Sequence, residues 1–292
     1  MKSILSKITS FLLSYLAICC GFISCTETEP VDLDNINPNN SLTVITGFLS
    51  PSDTAVKVRI SRSVSLFDTT AQSKPIDNAE VIIADVQQNI VRLAYDSTLQ
   101  LYTAPVVDFE ILPGRSYSLS VKIGQNEYSA TCVIPDVAIG DVIISSKHTF
   151  TNEKRSTGSV AIEFKNPTSN DDFFAIGGSL ISMTKESIKP VLFNPQLFSD
   201  ITQDSDTLEA FGIYDLAENS VQDLDKIIIR FSIIEENLFN YFRVERVNQL
   251  FEDGTIGGTT STFTRTPSNI IGPESAGVFA GYLLEEIEVS IE

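Results

Sequence analysis

A mainly β fold follows from three features of this sequence. The segment AVKVRISRSVSL (55–66) alternates: Val56, Val58 and Ile60 fall on one side, Lys57, Arg59 and Ser61 on the other. A period of two marks a half-buried strand. Between 42 and 134, apolar runs of strand length follow one another at short spacing, with turn residues between them; this is the pattern of a β-sandwich. One segment, near 234–250, stands out with helical spacing of its apolar residues.

The chain opens with MKSILSKITS, which carries Lys2 and Lys7 and no acid, followed by the apolar run FLLSYLAICCGFI (11–23). That run is too short to span a bilayer, which takes about 20 residues. A basic start, a short apolar core and a small residue at its end read as a secretory signal covering 1–24. Phe22-Ile23-Ser24-Cys25 resembles a bacterial lipobox, with Phe22 in place of the usual leucine. Cys25 is then the lipidation site, and acyl chains on it anchor the mature chain to a membrane, each buried CH₂ contributing roughly 0.8 kcal/mol. Residues 25–41 (CTETEPVDLDNINPNNS) are polar, acidic and proline-bearing, and are expected to form a flexible tether.

The first folded domain is expected at 42–137. LTVITGFL (42–49) is apolar and β-branched, and the alternating strand from 55 follows it. AEVIIADV (79–86), the polar turn QQN and IVRLAYD (90–96) read as a hairpin. LYTAPV (101–106) comes next. ILPGRSYSLSVKIG (111–124) sets Tyr117, Leu119, Val121 and Ile123 against serines and a lysine, and NEYSATCVI (126–134) pairs with it across Gly124-Gln125.

Pro135 to Gly140 reads as a junction, with a second β-rich domain over 138–292. DVIISS (141–146), SVAIEFKN (159–166), DFFAIGGSLISM (172–183) and DKIIIRFSI (225–233) supply strands. Thr184 to Leu224, with Pro190 and Pro195 and many polar residues, is expected to hold long loops and short strands. Ser232 and Glu235 have capping-box spacing. Ile234, Leu238, Tyr241 and Phe242 then recur at helical spacing, predicting a helix over about 234–250 ended by Gly254, Gly257 and Gly258. YLLEEIEVSIE (282–292) reads as a closing strand.

The bulk chemistry narrows the function classes. A formal net charge of −18 repels phosphate backbones, so nucleic acid is not an expected partner. Once Cys19 and Cys20 leave with the signal and Cys25 is lipidated, Cys132 is left alone, which excludes an internal disulfide or a multi-cysteine metal site. It reads as a small buried strand residue, with a catalytic thiol as the sharper alternative. His148, the one histidine, reads as an exposed residue at a strand end. No HExxH, GxSxG or Walker loop is present, so no catalytic residue or cofactor is assigned.

PIDNAEVII (75–83), QLYTAP (100–105) and ILPGRSYSLSV (111–121), in that order, resemble the transthyretin-like, carboxypeptidase-regulatory type of β-sandwich. With LFSD (197–200), the helix start at Glu236–Tyr241, PSNIIGPESAGVFAGY (267–282) and the lipobox, the mature chain resembles a Bacteroidota lipoprotein family catalogued as domain of unknown function four-two-four-nine. That resemblance implies a surface lipoprotein encoded beside, and working with, a TonB-dependent receptor. Glu27 and Glu29, just past Cys25, resemble the acidic signal that sends such lipoproteins to the outer face of the outer membrane.

Two sets of candidate sites remain. Asp200, Asp204 and Asp206 crowd together in SDITQDSDTLE, as either a weak calcium site or a solvated acidic loop; the glycine and bidentate glutamate of an EF-hand are missing. Thr54, Thr69, Ser97 and Thr207 each follow an aspartate and precede an apolar residue or threonine, which resembles the Bacteroidota O-glycosylation acceptor, and all four fall in expected turns. The expected function is a non-catalytic, lipid-anchored outer-membrane accessory of a TonB-dependent receptor in nutrient capture. The alternatives are a structural or adhesive envelope module and, third, a carboxylate-based hydrolase.

Overall fold

The alternating segments fold as strands, and their buried faces define two cores. The structure, a computed structural model, describes residues 41–64, 73–136, 142–152, 155–165, 172–182, 187–194, 196–199, 207–217, 224–252 and 265–290. The first half contains β1 (Thr43–Leu49), β2 (Ala55–Arg62), the short β3 (Lys74–Pro75), β4 (Glu80–Asp85), β5 (Ile90–Asp96), β6 (Leu101–Pro105), β7 (Ser116–Ile123) and β8 (Asn126–Val133). The expected hairpin forms: Val81 to Ala84 of β4 pair antiparallel with Leu93 to Ile90 of β5. The Asp85 carboxylate holds its turn by accepting hydrogen bonds from the Gln87 and Asn89 amides, at 2.8 and 2.9 Å. β7 and β8 also pair as expected, with Gly124 at φ +61° in their turn, a conformation glycine adopts without strain.

Two tyrosines of the sandwich-like motifs each pin a loop. Tyr102 is 1 % exposed; its hydroxyl accepts from the Ala79 amide at 2.7 Å and donates to the Ile76 carbonyl at 2.9 Å. Tyr117, equally buried, accepts from the Leu112 amide and donates to the Glu110 carbonyl. Each ring fills the core while its hydroxyl satisfies backbone groups that burial would otherwise leave unpaired.

The second half contains β9 (Val142–Asn152), β10 (Arg155–Lys165), β11 (Phe173–Ser182), β12 (Ser187–Asn194), β13 (Leu197–Ser199), β14 (Thr207–Ala217), β15 (Leu224–Ile234), α1 (Glu236–Glu252) and β16 (Ser275–Ser290). α1 is the one α-helix among the described residues. Phe164, Phe174 and Phe231 centre this core: Phe164 packs edge-on against both of the others, its centroid 4.4 Å from that of Phe231. The expectation of long loops and short strands between 184 and 224 needs correction, because β14 runs for 11 residues. Its buried side carries Leu208, Ala210, Gly212 and Tyr214 while Phe211 and Ile213 face outward, so small residues inside and apolar ones outside erase the alternation that would reveal a strand.

All strands join one hydrogen-bonded sheet of 16, with the main path β8-β7-β4-β5-β6-β2-β1-β16-β15-β11-β12-β14-β10-β9. β16 links the two halves. Ser275 to Gly281 run parallel to β1, and Tyr282 to Ser290 run antiparallel to β15. The closing strand therefore begins seven residues earlier than its C-terminal alternation indicates. Gly277 to Gly281 are all buried. Phe279 packs in the first core, while Val278 and Ala280 pack under α1. A strand covered on both faces shows no polar alternation. Gly277 has φ +111°, and a Cβ there would stand 2.0 Å from the Ile45 carbonyl oxygen, so only glycine fits.

Candidate functional site

The joint at β16 draws polar residues from distant parts of the chain. Gly281 is the last residue paired with β1, and Tyr282 the first paired with β15. A carboxylate is hydrogen-bonded to each. Glu235 Oε2 accepts from the Gly281 amide at 3.1 Å and from the Val133 amide of β8 at 3.3 Å. Asp53 Oδ1 accepts from the Tyr282 hydroxyl at 3.2 Å, and its Oδ2 from the Ser50 amide. Asn269 adds a third link: its side-chain amide donates to the Phe279 and Thr131 carbonyls, and its Oδ1 accepts from the Phe279 amide. Ser129 and Ile271 exchange two backbone hydrogen bonds beside it, at 2.9 and 2.8 Å. Edge strand β8 is thus tied to the β16 side of the sheet by backbone and side chains together, which covers an edge that would otherwise be open to pairing.

The capping box expected from Ser232 and Glu235 does not form. Ser232 lies inside β15, opposite Ala175 and Leu284. Glu235 itself starts the helix, its carbonyl accepting from the Leu238 and Phe239 amides, and its side chain turns to the strands. Burial pushes the Glu235 carboxyl above its ordinary value, against the bonds from Gly281, Val133 and Asn237. Burial likewise raises Asp53, opposed by Tyr282 and Ser50. The Tyr282 phenol is raised by burial and by Asp53.

Above this joint, α1 gathers aromatic side chains from both halves. Phe48 of β1, Phe173 of β11 and Tyr282 of β16 meet Phe239, Tyr241 and Phe242 of the helix, all half-buried. Phe173 and Phe239 have centroids 4.9 Å apart, Phe48 and Phe242 6.1 Å. The Arg243 guanidinium lies 6.0 Å from the Phe239 ring centre, within cation–π reach. Leu238 is 3 % exposed and anchors the helix. The cluster is an aromatic surface to which Tyr241 and Tyr282 add polar tips.

The candidates named from the sequence are distributed as follows. Cys132 is 1 % exposed in β8. Burial, then the nearby Glu235 charge, raises its thiol well above the usual range, which keeps it protonated and a poor nucleophile. His148 falls within β9, opposite Gly158. Thr54 and Ser97 are exposed in turns; the Asp96 carboxylate before Ser97 accepts from the Thr98 and Leu99 amides. Thr207 opens β14. Cys25, Thr69, Asp200, Asp204 and Asp206 lie outside the described residues, as do Gly254, Gly257 and Gly258. Among the described residues no cluster of His, Cys, Asp and Glu could hold a metal ion, and no helix is long and apolar enough to cross a membrane. The sequence spacing points Glu235 to a local cap and gives Asn269 no role; the asparagine lies in PSNIIGPESAGVFAGY (267–282), the run that carries the family resemblance.

No curated protein matches the chain. The family model described as a domain of unknown function, DUF4249, matches residues 28–283.

Proposed function

The chain belongs to the DUF4249 family, and from that premise we propose that it is a lipid-anchored outer-membrane protein, facing the cell surface, that serves a TonB-dependent receptor as a non-catalytic accessory in nutrient capture. The observation that carries this reading is the use made of the acidic side chains. Glu235, Asp53 and Asp85 are spent on backbone amides and turns, while half-buried aromatics from both halves gather at α1. Such a molecule is a rigid scaffold that presents a contact surface. The lipobox at Cys25 and the acids Glu27 and Glu29 supply the address, and the acidic stretch 25–41 supplies reach between lipid and fold.

The test is a tagged pull-down from detergent-solubilised outer membranes of the native host, read by mass spectrometry, beside a Cys25→Ala control. The expected result is one TonB-dependent receptor in stoichiometric amount, with the control shifted to the soluble fraction and the receptor lost. Recovery of the anchored protein alone, or with other envelope proteins, would favour the structural module.

A further inference from the structure

The outer face of the second half carries a second feature, independent of the receptor reading and going beyond it. Five large apolar side chains stand exposed there: Ile143 at 60 %, Ile188 at 70 %, Leu192 at 63 %, Phe211 at 56 % and Ile213 at 55 %. Strand register brings most of them together. Leu192 of β12 is directly opposite Ile213 of β14, and Phe211 is two residues along on the same face. Contiguous apolar surface of this kind on a folded protein marks a contact site.

The same face carries a charge arrangement that is unfavourable in the free molecule. Glu209 of β14 sits directly opposite Glu163 of β10, which is in turn opposite Ile143 of β9. Both glutamates are exposed, and among the described residues no cation pairs with either. Like charges at directly opposed positions repel. On β16, by contrast, Glu286 is paired with Arg230 and Glu288 with Lys226.

We propose that the outer face of β12, β14, β10 and β9 is a docking surface for a protein segment that carries arginine or lysine between apolar side chains. Its apolar residues cover Leu192, Phe211 and Ile213, and its cation sits between Glu163 and Glu209, relieving their repulsion. Charge argues against the other occupants. A second copy would bring two more carboxylates to the same place on a chain already at −18, and an anionic lipid surface would be repelled in the same way.

The experiment uses the mature full-length protein and two short peptides, one alternating arginine with leucine and its twin with glutamate for arginine, titrated by fluorescence anisotropy. The arginine peptide binds and the glutamate twin does not. Affinity falls about tenfold in Glu163→Gln/Glu209→Gln and about tenfold in Phe211→Ser/Ile213→Ser, and is unchanged in Val107→Ser, an exposed site of the first half. Added salt weakens the wild type more than the glutamine pair. The glutamine changes are isosteric and exposed, so they carry the test alone if the serine pair fails to fold. No binding, equal binding of the twin, or affinity untouched by the glutamine pair overturns the proposal. So does concentration-dependent dimerisation abolished by Ile213→Ser, which assigns the face to a second copy. Flotation of Cys25→Ala protein with phosphatidylcholine vesicles, lost in Phe211→Ser, assigns it to lipid and overturns it equally.

Discussion

Glu235 ties β8 to β16 by accepting from one backbone amide of each. Replacing it with alanine leaves the Gly281 and Val133 amides without acceptors. Gly281 is buried, and an unmade bond to a buried donor costs about 1–3 kcal/mol, whereas Val133 is exposed and its amide can turn to water, so Glu235→Ala is expected to lower unfolding free energy by about 2 kcal/mol in urea. Glu235→Gln keeps an acceptor oxygen for both amides and removes a half-buried charge, so it should stay within about 1 kcal/mol of wild type. The two variants also separate with pH. The folded Glu235 carboxyl titrates above its ordinary value of 4.5, so its favourable contribution is complete below that value and is lost as pH rises through the folded one. Wild type should therefore lose stability relative to Glu235→Gln as pH rises from about 4.5 towards neutral, read from urea midpoints across the series. Asp85 acts in the opposite direction: burial pushes it up, but the bonds from Asn89 and Gln87 prevail and hold it below its ordinary 3.8, so its contribution is present above that value and lost as pH falls through the folded one. The sequence placed Glu235 beside Ser232 because the spacing fits a cap. It could not show that β15 continues through Ser232, or that the carboxylate finds an amide 102 residues away.

Strands with one polar face were legible in the sequence, and so were the mostly apolar β1, β11 and β15, which the runs at 42–49, 172–183 and 225–233 place. β2, β7 and β8 alternate along their lengths and were placed within a few residues. β14 and the first half of β16 were missed, for related reasons. β14 faces outward with Phe211 and Ile213, and β16 is covered on one side by the first core and on the other by α1. The helix was found near its place because Leu238 and its aromatic neighbours recur at helical spacing, and it spans Glu236–Glu252. Leu238 is its deepest contact. Leu238→Ala is expected to cost about 2–4 kcal/mol. Hydrogen exchange should show α1 amides losing protection while those of β7 and β8 keep theirs; uniform loss across the protein would refute a locally anchored helix.

At the scale of the whole molecule, the two cores share one strand. Phe279 belongs to the first core, and Leu283 is packed against both the first and the second, four residues further along β16. Residues from Asn40 to Glu292 form one compact unit. Unfolding is therefore expected as a single transition. Phe279→Ala in the first core and Ile229→Ala in the second should each lower the same midpoint, at a cost of roughly 2–5 kcal/mol, with tyrosine fluorescence and far-ultraviolet dichroism coinciding. Two separated transitions, each moved by only one variant, would show that the halves unfold independently.

The sequence by itself determined the β class, the hairpins, the approximate helix and the chemistry of the N-terminal segment, because each rests on a pattern local to the chain: a period of two, a turn, a helical spacing, a charge beside an apolar run. The tertiary structure alone decided the rest. It set β16 parallel to β1 and antiparallel to β15. It aimed Glu235 and Asn269 across to β8 and β16. It put Glu163 opposite Glu209 beside an exposed apolar lane. These are contacts between residues far apart in the chain, and strand register, which selects them, is fixed only when both faces of a sheet find their packing partners.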